Sequence, residues 1–552
     1  MNNKNNKKVF LSVAFLILSI FSTITWNIAY HHDFHISGLP EMFGFLLKTV
    51  VFFTLYMIAY KFLTFFGRSE NILQTKGRFI NFTWSKKNIL TITAVLFAVY
   101  FIYLIIFYPG VCNYDTTNEI MDLTTKNHPL PYGWITGQPK VSALMNDHHP
   151  ITCTVIFTAF YEFGKLLGSA NLGIFIYNLI QSFLTAFAFS LMICSMDRWN
   201  RKVKHIQTVS FFFLAIMPFV PMYVVNMVKD SLFGFIFVIY FTYYMLILFE
   251  GADRRKLLVI IITSLLLSLT KKTGLYIIII CNLALLLRKP VRKSIQCVVH
   301  VSISILVPAI ILMIIFPKIL FPALNIYKGG PQEGINFCLQ QVSRVVYDNE
   351  ADLSEEELAT IDKIIPLEKI RSDFNHTTAD GVKIHFNYYA TSEDISDFMK
   401  LWFKLFFRYP NKYIEATLGT SGSYFIPNKS ISVYTKLVDN SIGIYSPKGT
   451  EKFRNEFTEV YNTLCNIPGL NLLFSLALYC WIIPVICIIY LIKQRDWSSL
   501  LSLIPIILSI MVLFITPLTY GRYAVVHFYT IPLILGLFAS PRTSEEKKTP
   551  EA

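Results

Sequence analysis

Long apolar runs broken by short polar stretches set the pattern of this 552-residue chain. A helix needs about 17–25 predominantly apolar residues to cross the hydrocarbon of a bilayer. Runs at about 9–29, 43–66, 89–108, 171–195, 207–226, 231–249, 296–321, 471–492, 498–516 and 524–540 each predict one span. The run at about 257–287 is interrupted by Lys271, Lys272, Thr273 and Gly274. One long helix there would bury two lysines near mid-membrane, which is costly. Two short helices meeting at the surface avoid that cost and bring the count to about 12 spans, with both ends cytoplasmic. Irregular backbone at membrane depth is tolerated where it lines protein or a watery cavity, so this break reads as a cavity wall. The segment 151–167 is short and carries Glu162 and Lys165, which predicts a juxtamembrane helix opened by Pro150. Residues 1–8 precede the first run with no small-residue cleavage site after it, the pattern of an uncleaved signal anchor.

Composition sharpens this picture. The chain is 54% hydrophobic and 15% charged, with a mean hydropathy of +0.50, which places it among all-α polytopic membrane proteins. A formal net charge of +14 would suit nucleic acid. Much of the excess, however, lies in clusters beside apolar runs, such as Arg198, Arg201, Lys202 and Lys204, where it sets topology. No nucleic-acid partner is expected. Nine cysteines show no CxxC spacing and lie mostly in apolar segments, so neither a structural disulfide nor a zinc site is expected.

The boundaries follow. Residues 1–88 hold two helices and a basic cytoplasmic loop, and 89–321 form a core with an outer loop at 109–170. Residues 322–470 form a small extracytoplasmic domain, and 471–552 hold three last helices and a cytoplasmic tail. Within the domain, Ser354 and Glu357 mark a helix start. Gln340, Gln341 and Arg344 read as a polar helix face. The aromatic segment 394–408 reads as a helix resting on the membrane.

The chemistry concentrates at Tyr108–Pro150, a polar, turn-rich loop between apolar runs. It holds Asp115, Glu119, Asp122, Asp147, His128, His148 and His149, with prolines at 109, 129, 131, 139 and 150. Loops held by a rigid scaffold are where chemistry is usually placed. Asp115 follows a span by seven residues, which keeps its carboxylate near the membrane surface. Lys229, Lys271, Lys272 and Arg522 come from three further outer turns. An acid facing cations at headgroup depth suits the activation of a hydroxyl while a lipid phosphate is held.

These residues resemble the GT-C superfamily of membrane glycosyltransferases, which includes protein O-mannosyltransferases and aminoarabinose transferases. The family's acidic catalytic residue after a helix matches Asp115. Its His-Pro element matches His149-Pro150, and its later Leu-Thr-Lys-x-x-Gly turn matches Leu269–Gly274. Lys165–Leu172 resembles its GLFG-like stretch, and Arg522-Tyr523 resembles the pair near the lipid phosphate. The YPG, NDHHP, NMVKD and GLYI stretches are similar to bacterial GT-C-like membrane proteins of undefined substrate. The likeness covers roughly 89–540. Many members carry an acidic pair at the first site, whereas Thr116 and Thr117 follow Asp115 here, leaving Glu119 or Asp147 to supply a second carboxylate.

The resemblance implies a GT-C-like bundle and a multi-pass glycosyltransferase whose active site faces outward from a bacterial plasma membrane. Its donor would be a polyprenyl-phosphate sugar, and its acceptor an envelope polymer, glycolipid or protein. Asp115 would be the base of an inverting reaction. Asp147, His148, His149, Lys229, Lys271, Lys272, Arg522 and Tyr523 would bind substrate. No cofactor is required for a monophosphate donor, and a divalent cation is compatible with it. Plainer readings stand beside these roles. Asp115 can cap a turn, Lys229 can snorkel with Asp230 as its partner, and Asp147, His148 and His149 can cap a helix or hold a cation. Lys271, Lys272 and Arg522 can be interfacial anchors. A lipid-linked-oligosaccharide flippase or transporter and a glycan polymerase are the competing functions. The helix interiors offer few charges for a transport path beyond Lys48 and His300.

Overall fold

The computed structural model describes residues 2–69, 80–125, 143–199, 201–436 and 442–541. Lys76, Arg78, His128, the prolines at 129, 131 and 139 and the end of the tail lie outside the described residues. The architecture is helical. Among the described residues, strands are limited to four of two residues each. The chain opens with α1 (Asn2–His31), α2 (Leu39–Arg68) and α3 (Lys86–Ile106). After β1 (Val111–Cys112) come α4 (Tyr114–Thr124), β2 (Met145–Asn146), α5 (Ile151–Leu166) and α6 (Ala170–Ser195). Then follow α7 (Lys204–Ile216), α8 (Phe219–Val224), β3 (Asn226–Met227), α9 (Lys229–Glu250), α10 (Arg254–Thr270), α11 (Lys272–Leu285) and, further on, β4 (Ile326–Tyr327).

Among the described residues, six helices are long and apolar enough to cross a membrane: Asn6–His31, Leu39–Arg68, Lys86–Ile106, Ala170–Trp199, Lys229–Glu250 and Ile295–Ala323. Shorter apolar helices occupy Lys272–Leu285, Leu478–Gln494 and Ile504–Phe514. The expected span at 207–226 is instead two helices, α7 and α8. Pro218 lacks an N–H and disfavours helical backbone in the residue before it, and Met217 is extended at φ −64° and ψ 115°. The expected break at 271 is present. Lys271 ends α10 and precedes α11 with extended backbone, φ −152° and ψ 128°.

Two parallel strand pairs tie the loop at 109–150 to the rest of the fold. In one, Val111 faces Asn226 and Cys112 faces Met227. In the other, Met145 faces Ile326 and Asn146 faces Tyr327. The first pair sets the starts of α4 and α9 side by side. Gly110, at φ +109°, makes the turn into β1, and a Cβ there would lie 2.1 Å from the Asn178 amide nitrogen. α5 packs against α6 through two glycines, since a Cβ on Gly173 would meet the Phe160 carbonyl at 2.0 Å.

Within 322–470 the residues divide between two cores. Leu339, Val342, Ile365, Phe386, Phe398 and Leu405 belong to a separate helical core, whereas Phe425, Ile431 and Tyr461 join the main bundle. Ser354 forms the expected capping box with Glu357. The helix Ser392–Arg408 buries Phe398, Leu401 and Leu405 and leaves Phe403 and Phe407 exposed. Only one of its faces is therefore available to a membrane. Gln340, Gln341 and Arg344 lie on one helix, Gln332–Asn349, and the polar side chains they contribute are buried. Arg344 bonds Glu415 at 2.8 Å and the His32 carbonyl at 2.9 Å, so its charge is buried with a partner and not solvated.

Candidate functional site

Asp115 lies in the first turn of α4, whose start is capped by the Asn113 side chain accepting from the Thr116 N–H at 3.0 Å. The Thr116 hydroxyl donates to the Met227 carbonyl at 2.5 Å, fastening α4 to the residue two before Lys229. That register brings the Lys229 ammonium to 3.3 Å from Asp115 Oδ2. Arg522 reaches the same oxygen through Nη1 at 2.7 Å. The Arg522 loop is held in turn by the Tyr424 hydroxyl, which accepts from the Tyr520 N–H at 2.8 Å, and by Lys429 donating to the Thr519 carbonyl at 2.8 Å.

The cluster continues past Asp115. Lys229 donates to His149 Nδ1 at 2.6 Å. Lys271, at the helix break, pairs with Asp230 at 2.7 Å, and Arg522 Nε lies 3.9 Å from the other Asp230 oxygen. The Arg522 guanidinium stacks near the Tyr520 and Tyr523 rings at 5.1 and 5.2 Å, and its Nη2 donates to the Tyr523 hydroxyl at 3.4 Å. Lys229 and Asp230 are thus not each other's partners, a correction to their plainer reading. Successive residues at a helix start point about 100° apart, so each meets a different charge.

Of the expected site residues, Asp115, His149, Lys229, Lys271, Arg522 and Tyr523 come together. Asp147, His148 and Lys272 form a second group, linked to the 322–470 region. Asp147 Oδ1 accepts from the Gly329 N–H at 2.5 Å, and its Oδ2 lies 3.5 Å from the Lys272 ammonium. His148 lies 3.6 Å from Glu333. Asp147, His148 and His149 therefore point to three different partners. Among the described residues no group of three or more His, Cys, Asp or Glu is arranged to hold a metal ion.

Electrostatics divide the carboxyls. Burial works against ionisation of Asp115, but Lys229 and Arg522 outweigh it and hold the carboxyl well below its ordinary range. Glu119, one turn further along α4, is fully buried, and neither of its oxygens has a hydrogen-bond partner among the described residues. Burial, reinforced by the nearby charges of Asp115 and Asp122, pushes it up to about 8 against the pull of Lys229. Burial, helped by the Lys229 charge and opposed by Glu333, lowers His148 to about 4, so it is neutral at pH 7. Sequence reasoning named Glu119 only as a spare carboxylate and Asp230 only as a lysine's partner. The i, i+4 spacing of Asp115 and Glu119 was the available signal, since it puts both on one helix face.

A cavity of about 270 Å³ adjoins the cluster. Lys271 and Tyr523 line it, and Phe233, Ile277, Leu513 and Val526 supply apolar walls. The two lysines of the helix break differ sharply in setting, because Lys272 is 57% exposed while the Asp230 partner of Lys271 is only 2% exposed. Lys271→Ala is expected to lower thermal stability by about 3 kcal/mol, since it leaves the buried Asp230 carboxylate facing Arg522 at 3.9 Å in place of a 2.7 Å ion pair. Lys272→Ala should cost less than about 1 kcal/mol, as for an exposed pair. Melting of the two variants in one detergent would decide, and equal costs would place Asp230 in contact with water.

Fold and site define an all-α protein with, among the described residues, six potential membrane-crossing helices and an ionic cluster beside a largely apolar cavity. Within that class, the chain belongs to a family of unknown function (DUF6020), whose match covers residues 74–551. The match begins after α2. No curated protein and no solved structure matches the chain.

Proposed function

We propose that this protein is an integral membrane glycosyltransferase. It would move a sugar from a polyprenyl-phosphate donor to a cell-envelope acceptor at the outer face of the plasma membrane. The about 12 spans, the GT-C-like bundle and the extracytoplasmic position of the site belong to this proposal. The observation that carries it is Asp115, bonded to both Lys229 and Arg522, beside an apolar cavity that Lys271 and Tyr523 also line. A lipid phosphate needs cations for its headgroup and an apolar wall for its first prenyl units. Three cations, Lys229, Lys271 and Arg522, face two carboxylates, Asp115 and Asp230, and leave one positive charge uncompensated. A phosphodiester donor carries one negative charge.

The chemistry follows from the same contacts. The acceptor oxygen attacks the sugar C1 while its proton passes to the Asp115 carboxylate. The C1–O bond to phosphate breaks, and its electron pair stays on the phosphate oxygen. The phosphate charge grows from one toward two in this step, which the three cations stabilise more than they stabilise the bound donor. A single base on the face opposite the leaving group inverts the anomeric centre. Paired with two cations, Asp115 is a weak base. Donor phosphate competing for Lys229 and Arg522 restores its basicity.

The experiment is label transfer in membranes from cells expressing the wild-type chain, supplied with polyprenyl-phosphate sugars of several identities. Label reaching an envelope fraction only when the protein is expressed supports the reading. If no donor yields transfer while labelled lipid crosses the bilayer, the protein is a flippase.

A further inference from the structure

We propose that Glu119 is a positioning residue, held as a neutral carboxylic acid, and that its neutrality keeps the Asp115 cluster net positive and able to bind an anion. This inference rests on the reading of that cluster as a phosphate site. Glu119 touches no substrate in that reading, because its side chain is fully buried.

The geometry carries the argument. Both Glu119 oxygens are buried with no hydrogen-bond partner among the described residues. Among the described residues the nearest basic atom is His149 Nδ1 at 3.9 Å, and its lone pair already accepts from Lys229 at 2.6 Å. An ionised carboxylate buried without a hydrogen bond would be several kcal/mol too costly. Around it lie Asp115 and Asp122 on its own helix and Lys229 and Asp230 at the start of α9. His149 before α5, Cys153 on α5, Tyr177 on α6 and Cys112 on β1 complete the titratable surroundings. Burial lifts both thiols above their ordinary values and holds His149 low. Ionisation of Glu119 would add one more negative charge beside the three cations and the two carboxylates paired with them, and cancel the one charge left for phosphate. It would also draw Lys229 away from Asp115.

The sign of the pH effect follows. An anion binds the form in which Glu119 carries its proton, so affinity is full below the Glu119 transition and falls above it. Dihexyl phosphate is a suitable probe, because a phosphodiester keeps one charge over this whole range. Its binding to the full-length protein in detergent would be measured by calorimetry at pH 7 and 9.5. Wild-type affinity should fall about tenfold or more across that interval. Glu119→Gln, isosteric and permanently neutral, should hold its affinity within about twofold. Glu119→Met, apolar and close in volume, should be equally flat, which separates the charge from any hydrogen bond the amide forms. A wild-type profile as flat as both variants, or an equal fall in all three, overturns the inference and leaves the phosphate site standing. Absence of binding by all three at both pH values overturns the phosphate site and the inference together.

Discussion

Asp115→Asn should abolish sugar transfer, with a loss of about 10²- to 10⁴-fold expected from removing a positioned general base. The amide keeps the size of the side chain and its place in the first turn of α4, so the acceptor pocket is preserved while the proton acceptor is lost. A second effect accompanies this one. Lys229 and Arg522 both lean on the lost charge, at 3.3 and 2.7 Å. Stranding buried partners costs about 3–5 kcal/mol at most sites where it has been measured. Partial exposure of Asp115 places this pair toward the lower end. The two effects are separable. Thermal melting reads the second, and transfer normalised to folded protein reads the first. Donor phosphate also neutralises the stranded cations, so the variant should regain stability when lipid phosphate is added, but no activity. Full transfer by Asp115→Asn would reduce Asp115 to a structural ion-pair partner and remove the proposed base.

Arg522→Lys is the second large effect, and charge is conserved in it. The guanidinium meets Asp115 through one nitrogen, faces Asp230 through another, and stacks near Tyr520 and Tyr523. A lysine ammonium is a compact point charge and cannot reproduce that fork. If Arg522 stabilises charge that develops on the leaving phosphate, its replacement should lower transfer by about 10²- to 10³-fold. The loss should fall mainly on kcat, because the phosphate is more negative in the transition state than in the bound donor. A rise in KM alone would make Arg522 a donor-binding residue that contributes equally to ground and transition states. A variant as active as wild type would leave Lys229 and Lys271 as the cations that matter.

Legibility in the sequence tracks the range of the force involved. The break at Lys271 was readable because the cost of two lysines in hydrocarbon is local to the run that contains them. The break at Pro218 was equally local, yet the run 207–226 read as one span because its hydropathy outweighed a single proline. The helix start at Ser354 was readable because a capping box closes within four residues. The burial of Arg344 was not readable because two of its partners, Glu415 and His32, come from distant parts of the chain, whereas Asp348, four residues on, pairs with it as it could on any helix surface.

The sequence by itself determined the helical, membrane-compatible class and the residue types gathered at the site, since hydropathy and charge cost are summed along contiguous stretches. It also placed Asp115 seven residues after an apolar run, while the helix that carries it, α4, emerged only from the structure. Only the tertiary structure decided which charge meets which. Arg522 bonds Asp115 across 407 residues of sequence, Lys229 turns to Asp115 while Asp230 turns to Lys271, and Glu119 is left without a hydrogen bond among the described residues. Those pairings depend on strand register and helix packing, where a shift of one residue changes every neighbour.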